Sequence, residues 1–271
     1  MTCMLCGGES MERHLQVGVH VLDRCRSCGL ISTRNFTGTN SDYAGESYFT
    51  TRNEYVKRWD EFCAHFEPMV AKIRRHVPSG RLLDVGAGVG AFLSVSSRHG
   101  YSASGVEVSE WASGYARREK GLDVVTGTLE DARFGDAHFD VAVLNHVIEH
   151  VPDPRALLGE IRRVLRPGGL IVLGAPNAES LMARLIRARW ASYRPGEHIW
   201  HFTPSTLCRL VESEGFRVVD CEAKENNPVR SWSLKDDVRR LINAVSRLAN
   251  RSEAMLLLAR KSPDHGLAPG G

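Results

Sequence analysis

The sequence lacks the features that mark membrane-spanning, secreted or strongly polyanion-binding proteins. No apolar run reaches the roughly 18 residues that a membrane-spanning helix needs. The first six residues have neither the basic nor the apolar region of a secretory signal peptide. The net charge is only +3, too small by itself to indicate a nucleic-acid partner. We therefore expect a cytoplasmic protein.

What is present fits a globular chain. The 271 residues are 42% hydrophobic and 25% charged, enough for one large α/β domain and a small additional module. Four of the seven cysteines form two closely spaced pairs, and this pattern fits a reducing compartment better than a disulfide scaffold.

The two cysteine pairs predict a metal site near the N-terminus. Cys3 and Cys6 form one pair, Cys25 and Cys28 form the other, and glycine follows each pair. Four thiolates make a closed tetrahedral zinc site, which is structural because it leaves no coordination position open. The residues between the pairs alternate as in a strand, so residues 1–33 predict a zinc ribbon. The alternative is a set of metal-free or redox-active cysteines.

The centre of the sequence is a glycine-rich turn after a short apolar run. Arg81–Val85 has the composition of a strand buried in a parallel sheet, and Gly86, Gly88 and Gly90 follow it. A helical pattern begins at Ala91. Strand, glycine turn and helix together predict the start of a nucleotide-binding βαβ unit, in which glycine lets the backbone approach the ligand.

Two acidic residues decide which nucleotide fits. Asp84 would repel a pyrophosphate but suits a cationic group, such as the ammonium of a methionine moiety. Glu107 ends the next predicted strand, where its carboxylate can accept hydrogen bonds from both ribose hydroxyls. Although Gly86, Gly88 and Ala91 also satisfy a dinucleotide-binding pattern, Asp84 disfavours an NAD(P) oxidoreductase. The intact ligand motifs argue against a non-enzymatic binding module.

Four motifs in this order resemble the class I S-adenosylmethionine (SAM)-dependent methyltransferases. They are the turn with Asp84, then Glu107, then Phe139–Val151, and then Leu165–Gly169, and the resemblance covers about residues 68–222. It implies an α/β fold, a seven-stranded doubly wound Rossmann-like sheet with an antiparallel last strand. The predicted strands are Arg81–Val85, Ala103–Val108, Asp123–Thr126, Phe139–Asn145, Leu170–Ala175, Phe216–Glu222 and Glu253–Ala259.

The predicted domain organisation follows from these segments. Residues 34–78 form a helical lid after the ribbon, with one helix from Ser47 to Val77, and residues 79–262 form the methyltransferase domain. A helical insertion is expected at 226–250 and a disordered tail at 263–271. Aromatic residues of the lid segment are candidates to line the ligand pocket, except Trp59, for which we expect packing.

The resemblance also implies the cofactor contacts. The glycine turn would contact the methionine end, Glu107 the ribose, the segment after the third strand the adenine, and the end of the fourth strand the sulfonium. The residues expected to bind SAM are Asp84, Gly86, Ala87, Gly88, Glu107, Val108, Thr128, Leu129, Asn145 and His146. The family often carries an acid at the position of Thr128, so the adenine contact here would come from a hydroxyl.

Histidine is the natural general base near neutral pH. The segment 194–207 resembles one that borders the acceptor pocket in ubiquinone-type, sugar and natural-product O-methyltransferases. We expect His201 or His198 to be the base and His150 to be the second candidate. Two alternatives stay open: a purely structural role for these residues, and a divalent ion held by Glu149, His150 and a later histidine.

The predicted reaction is methyl transfer to a hydroxyl of a small molecule, sugar or natural-product intermediate, with an anionic acceptor as one option. Carbon or nitrogen methylation, and an RNA or protein acceptor gripped by the ribbon, are the alternatives. The chain reads Asn145-His-Val-Ile after the fourth strand, without the Asn/Asp-Pro-Pro-Tyr signature of nucleic-acid amino-methylation, so a nucleic-acid acceptor is disfavoured. The basic segment Leu181–Arg194 would bind an anion or a membrane surface, or form a solvated helix face.

Overall fold

The computed structural model describes residues 2–36, 45–224 and 251–263. The predicted insertion at 226–250 and nearly all of the predicted tail at 263–271 lie outside these ranges. The strands are β1 (Met11–Val17), β2 (His20–Cys25), β3 (Ile31–Thr33), β4 (Gly80–Val85), β5 (Tyr101–Glu107), β6 (Asp123–Thr126), β7 (Phe139–Asn145), β8 (Leu165–Pro176), β9 (Trp200–His201), β10 (Phe216–Lys224) and β11 (Ala254–Lys261). The α-helices are α1 (Trp59–His76), α2 (Ala91–Arg98), α3 (Glu110–Lys120), α4 (Pro154–Val164), α5 (Leu181–Ile186) and α6 (Pro204–Ser213).

Seven strands form one sheet in the order β10-β11-β8-β7-β4-β5-β6. Strands β4 to β8 pair in parallel, whereas β11 is antiparallel to both of its neighbours, β8 and β10. This is the doubly wound sheet with an antiparallel last strand that the sequence predicts. Parallel strands place their carboxyl ends at one edge, and the order reverses between β4 and β7, where such sheets bind ligands.

The sheet separates two apolar layers because alternate side chains of each strand point to opposite faces. On one face, Leu83 and Leu144 pack in the same cluster as Leu158 of α4. On the other face, Leu82 and Val143 belong to the cluster of α1 and α2. Both layers are closed, so the carboxyl edge of the sheet, rather than its faces, is left for a ligand.

The single helix predicted from Ser47 to Val77 is wrong. A π-helical turn at Tyr48–Arg52 is followed by a separate α-helix, α1. Glu54 has φ +52°, in the left-handed region that a helix cannot continue through, and the side chain of Asn53 donates a hydrogen bond to Tyr48 O. Apolar spacing alone could not locate this break.

Strand β8 begins earlier than predicted. Helix α4 ends at Val164, and Leu165 already pairs with Phe139 of β7, so the strand starts five residues before the predicted Leu170. The register between β7 and β8 shifts after this first pair, and Gly168 takes φ +72° within the irregular stretch. The Pro-Gly-Gly sequence therefore ends the helix and makes a bulge, after which pairing with β7 resumes at Leu170 opposite Val141.

The N-terminal strands belong to a second sheet, ordered β1-β2-β3-β9. Its fourth strand, β9, comes from a segment much later in the chain and pairs antiparallel with β3. Ile31 lies opposite His201, and Ser32 lies opposite Trp200. Residues of the N-terminal ribbon, including Cys25 and Leu30, share an apolar cluster with Phe202 and α4. The ribbon is thus joined to the large domain by strand pairing and by a common core.

None of the helices in the described ranges combines the length and the apolarity required to cross a bilayer.

Candidate active site

The turn between β4 and α2 has a backbone suited to glycine. Gly86, Gly88 and Gly90 have φ angles of +77°, +54° and +90°. A Cβ atom added at Gly86 would lie 2.5 Å from Val147 Cγ2. Because this turn carries little side-chain bulk, its backbone can border a ligand directly, and helix α2 starts immediately after it.

Two carboxylates lie beside the turn. Asp84 is 3% exposed and Glu107 is 7% exposed, near the carboxyl ends of adjacent strands. Glu107 Oε2 accepts a hydrogen bond from Gly88 N at 2.8 Å, and its Oε1 accepts one from Ser109 N at 2.8 Å. Glu107 therefore fixes the glycine turn as well as bordering the space next to it.

The electrostatics of this pair favour a cation. Burial, and after it the negative charge of Glu107, raise the pKa of Asp84 to about 8. No hydrogen bond reaches the Asp84 carboxylate from another described residue. Burial also raises the pKa of Glu107, although backbone hydrogen bonds oppose that rise. A positively charged ligand group here would favour the ionised form of Asp84, so the site fits the ammonium and sulfonium of SAM.

A cavity of about 740 Å³ opens at this edge of the sheet. It has the size of a typical small-molecule site. All ten residues predicted to bind the cofactor line it: Asp84, Gly86, Ala87, Gly88, Glu107, Val108, Thr128, Leu129, Asn145 and His146. Residues from four separate chain segments thus come together around one space.

The sequence does not reveal the hydrogen bonding of two of these residues, Thr128 and Asn145. Thr128 Oγ1 and Thr128 N each lie 2.9 Å from Asp131 Oδ2 and donate to it, and these bonds hold the pKa of Asp131 below its usual value. Asn145 Oδ1 is buried and has no hydrogen-bond donor among the described residues. An unpaired buried acceptor in a cavity wall is a candidate contact for a ligand donor.

Aromatic side chains from the lid segment line one side of the cavity. Tyr48 and Phe49 come from the π-helical turn, and Tyr55 and Phe62 follow. Phe49 packs near the glycine turn, since a Cβ added at Gly88 would lie 3.7 Å from its ring. This agrees with the expectation that aromatic residues of the segment border the pocket.

Of two further residues in the lid segment, Trp59 packs against the domain and His65 lines the cavity. Trp59 packs away from the cavity, with Lys120 Nζ 4.1 Å from its ring centroid. His65 of α1 lines the cavity and was missed by the sequence reasoning, which considered only the aromatic residues of this segment. Burial lowers the pKa of His65 to about 4.

Only two of the three histidines predicted as general bases reach the cavity. His150 and His198 line the cavity, and their ring centroids are 4.6 Å apart. His201 is 4% exposed, is not part of the cavity wall, and lies 3.1 Å from Thr33 Oγ1. Burial lowers its pKa to about 3. Its position does not favour His201 as the base.

The ring orientations of the other two are fixed by backbone carbonyls. His150 Nδ1 donates to Glu197 O at 3.0 Å, and His198 Nδ1 donates to Ser192 O at 3.1 Å. In the neutral form of either ring Nδ1 therefore carries the proton, and Nε2 is the acceptor nitrogen. Burial is the main cause that lowers the pKa of His198 well below its ordinary value, so His198 is neutral at physiological pH.

Glu149 is the centre of the histidine cluster. It is 1% exposed, and its Oε1 accepts a hydrogen bond from His146 Nδ1 at 3.0 Å. Burial opposes its ionisation, but the hydrogen bond from His146 and the surrounding histidines lower its pKa to about 2. His146 itself has φ +59°, an uncommon backbone conformation for a residue other than glycine, at the end of β7.

Among residues 2–36, 45–224 and 251–263, two groups of side chains have the arrangement of metal ligands. Cys3, Cys6, Cys25 and Cys28 place their sulfur atoms within 4.8 Å of one another, with the closest pairs at 3.4 Å and 3.6 Å. A tetrahedral zinc ion with Zn–S bonds of about 2.3 Å separates its ligands by about 3.8 Å, so the four thiolates fit.

The second group is Glu149, His150 and His198, again with one ligand atom each within 4.8 Å of the others. Glu149 Oε2 is buried without a hydrogen-bond partner among the described residues, and both histidines have Nδ1 fixed by carbonyls. These features fit a divalent ion chemically, because metal-binding histidines commonly donate their other nitrogen to a carbonyl.

Comparison with known proteins agrees with this geometry. The sequence profile of the methyltransferase domain family matches residues 54–220, more than half of the chain, so the chain belongs to that family. An uncharacterised protein of Methanocaldococcus jannaschii is 30% identical over 132 residues, and the match spans 49% of this chain and 62% of that relative. A ubiquinone biosynthesis O-methyltransferase of Cereibacter sphaeroides is 35% identical over 168 residues, spanning 58% of this chain and 68% of the relative.

Solved structures show the same fold. A SAM-dependent methyltransferase from Archaeoglobus fulgidus is similar with a TM-score of 0.53 and 26% identity, covering 72% of this chain and 94% of that one. The chain is a SAM-dependent methyltransferase with a seven-stranded Rossmann-like sheet.

Proposed function

We propose that this chain transfers the methyl group of SAM to a hydroxyl of a small molecule, sugar or natural-product intermediate. The observation that carries the proposal is one cavity in which the ten residues predicted to bind the cofactor meet His150 and His198. Oxygen is the accepting atom in the named activity of the Cereibacter sphaeroides relative. SAM supplies, when bound, a methyl group already activated by its sulfonium.

The residues of the chain have distinct tasks in this proposal. Asp84 holds the ammonium of the methionine end, Glu107 holds the ribose hydroxyls, and Thr128 and Leu129 border the adenine. Asn145 at the end of β7 and His146 directly after it contact the cofactor near its sulfonium. Tyr48 and Phe49 cover the cavity and exclude water from the reacting atoms.

Alignment supplies most of the rate enhancement that the protein must provide. Fixing two reactants in a reactive geometry is worth about 7–11 kcal/mol, whereas a general base contributes about 10²–10⁴-fold. His198 and His150 are the base candidates. In each neutral ring Nδ1 donates to a carbonyl, and so each can take the hydroxyl proton on Nε2. Because burial lowers the pKa of His198, its role is to accept a proton transiently and pass it on.

A second arrangement is favoured by one specific observation. The partnerless Oε2 of buried Glu149 and the adjoining His150 and His198 would hold a divalent ion, and the hydroxyl would then be acidified by a metal rather than by a base. Metal analysis separates the arrangements, because the four-cysteine site alone gives one zinc per chain. A second metal that is lost in Glu149→Gln but kept in Cys25→Ser would favour this arrangement.

The proposed function is tested with methyl-labelled SAM and three kinds of acceptor: 3,4-dihydroxybenzoate with related catechols, nucleotide sugars, and bulk RNA. We expect labelled product only with a small hydroxyl compound, and NMR of that product should show an O-methyl group. His198→Ala and His150→Ala should lower turnover while S-adenosylhomocysteine (SAH) still binds. Label on carbon, on nitrogen or in RNA would overturn the hydroxyl assignment.

A further inference from the structure

The N-terminal ribbon touches the segment that carries His198 through its third strand. Thr33 ends β3 and is 4% exposed. Its backbone N donates to Ile199 O at 2.9 Å, and its hydroxyl donates to His198 O at 2.7 Å. The same hydroxyl lies 3.1 Å from His201 Nε2. The side chain of Thr33 therefore contacts both the backbone of His198 and the ring of His201.

The opposite side of this segment is held by the turn after β7. The carbonyl of Glu149 accepts from Ile199 N at 2.9 Å and from Trp200 N at 3.2 Å. The segment that contains His198 is therefore hydrogen-bonded on one side to Glu149 of the large domain and on the other side to Thr33 of the ribbon. If either contact is lost, the backbone that carries a cavity-lining histidine loses one of the hydrogen bonds that fix its position.

The cysteine cluster determines where Thr33 lies. Cys25 is the last residue of β2 and Cys28 lies in the turn to β3, so a metal ion on these thiolates fixes the turn from which β3 starts. The first cysteine pair is tied to the large domain too, because Arg155 of α4 donates to Leu5 O at 2.9 Å and to Met4 O at 3.1 Å.

We infer that the ribbon supports the wall of the methyl-transfer site from behind: Thr33 is a positioning residue for His198, and the four thiolates maintain Thr33 through the β2–β3 turn. This deepens the proposed function and rests on it only in assigning His198 to the acceptor side. It gives the ribbon a task other than gripping a macromolecule.

The main test replaces the Thr33 hydroxyl by a methyl group in the full-length chain. Thr33→Val keeps the shape of the side chain but leaves His198 O without its donor. We expect amide exchange of Ile199 and Trp200 to become about 10-fold faster, with other amides of the sheet unchanged. The ¹⁵N imidazole signal of His198 should broaden or shift, while the Kd for SAH, measured by calorimetry, stays within about twofold.

Two further variants make the result specific. Thr33→Ser restores the hydroxyl and should return exchange and imidazole signals to wild-type values. Ser32→Ala removes a hydroxyl from the adjacent residue of β3, whose side chain points to the opposite side, and should change neither signal. Uniform acceleration of all amides in Thr33→Val, or failure of Thr33→Ser to restore them, would overturn the positioning role.

The metal part is tested by chelating zinc from the reduced wild-type protein. We expect exchange at 197–203 to accelerate together with β3, whereas amides of β4 and β5 and the Kd for SAH stay unchanged. A metal-free protein with full protection at 197–203 would overturn the link between the thiolates and Thr33. Failure of SAH to bind the untreated protein contradicts the proposed function instead, and the exchange results would still report on the hydrogen bonds of Thr33.

Discussion

Replacing Asp84 by asparagine should stabilise the ligand-free protein at neutral and alkaline pH. Burial and the charge of Glu107 raise the pKa of this carboxyl from 3.8 to about 8 in the folded state. Between these two values the unfolded chain has lost the proton that the folded chain retains. The folded state then binds more protons, so the unfolding free energy of the wild type falls as pH rises from about 4 to about 8.

The magnitude follows from the two pKa values. One pKa unit corresponds to 1.36 kcal/mol, so ionisation of Asp84 weakens the fold by about 4 kcal/mol at pH 7 and by about 5–6 kcal/mol above pH 8. Asparagine has nearly the same shape and no charge to desolvate. The gain in unfolding free energy should therefore be near zero at pH 4 and largest at pH 8 and above.

Urea denaturation of protein freed of SAM and SAH, at several pH values between 5 and 9, measures this difference. Asp136→Asn is a matched control, because the Asp136 side chain is 81% exposed and the same substitution there removes a surface charge. If the Asp84→Asn and wild-type curves run parallel across this pH range, or if Asp136→Asn shows the same trend, the reasoning about a buried, destabilising carboxyl is refuted.

Glu107→Ala should weaken SAH binding by at least ~10-fold, because it removes the proposed ribose acceptor and two charge-assisted bonds to the turn; calorimetry with an unchanged Kd would contradict the ribose assignment. Gly86→Ala should lower the unfolding free energy by about 1–3 kcal/mol, because residue 86 has φ +77° and an added Cβ would collide with Val147. Gly159→Ala is the control: Gly159 is an exposed residue in the middle of α4 with open space around it, so alanine there should raise the unfolding free energy by about 0.5–1 kcal/mol. Both changes in stability are measured from denaturant midpoints. A change in the same direction for the two variants would be inconsistent with this account. The Cys25→Ser variant should show no bound zinc in native mass spectrometry, and its unfolding free energy should be lower than that of the wild type. A metal-free variant of unchanged stability would refute a structural zinc ion.

The cofactor half of the site was predictable because its signals are local. An apolar strand, a glycine turn and a helix start lie within a dozen residues around Asp84, and Glu107 ends the adjacent strand. Parallel pairing then brings both carboxylates to one edge whatever the rest of the chain does. All ten residues expected at the cofactor reach one cavity for this reason, although their contacts with SAM remain predictions.

The acceptor half depends on contacts that no local pattern encodes. His201 is drawn out of the cavity because β9 pairs with β3, and the contact of His201 with Thr33 joins residues 168 positions apart. Similarly, the helix break at Glu54 comes from one left-handed residue in a stretch whose apolar spacing is helical throughout. Sequence periodicity reports which residues are buried, but not which distant strand buries them.

Three strained or unsatisfied groups lie at the edge of the sheet where the ligand is proposed to bind. Asp84 is buried without a cation, Asn145 Oδ1 has no donor among the described residues, and His146 has φ +59°. Such features destabilise the ligand-free fold, and they persist when a ligand compensates for them. If Asp84 binds the methionine ammonium, its contribution to the binding free energy must depend on the presence of that ammonium.

A comparison of two ligands isolates this dependence. SAH carries the ammonium, whereas methylthioadenosine presents the same nucleoside and a thioether without it. In the wild type SAH should bind at least ~10-fold more tightly than methylthioadenosine, and in Asp84→Asn most of this ratio should disappear while methylthioadenosine binds about as before. Calorimetry at pH 8.5, where the Asp84 carboxyl is mostly ionised, gives the four constants. A ratio that survives the substitution would mean that Asp84 does not face the ammonium, and the orientation of the cofactor would then have to be reversed or abandoned.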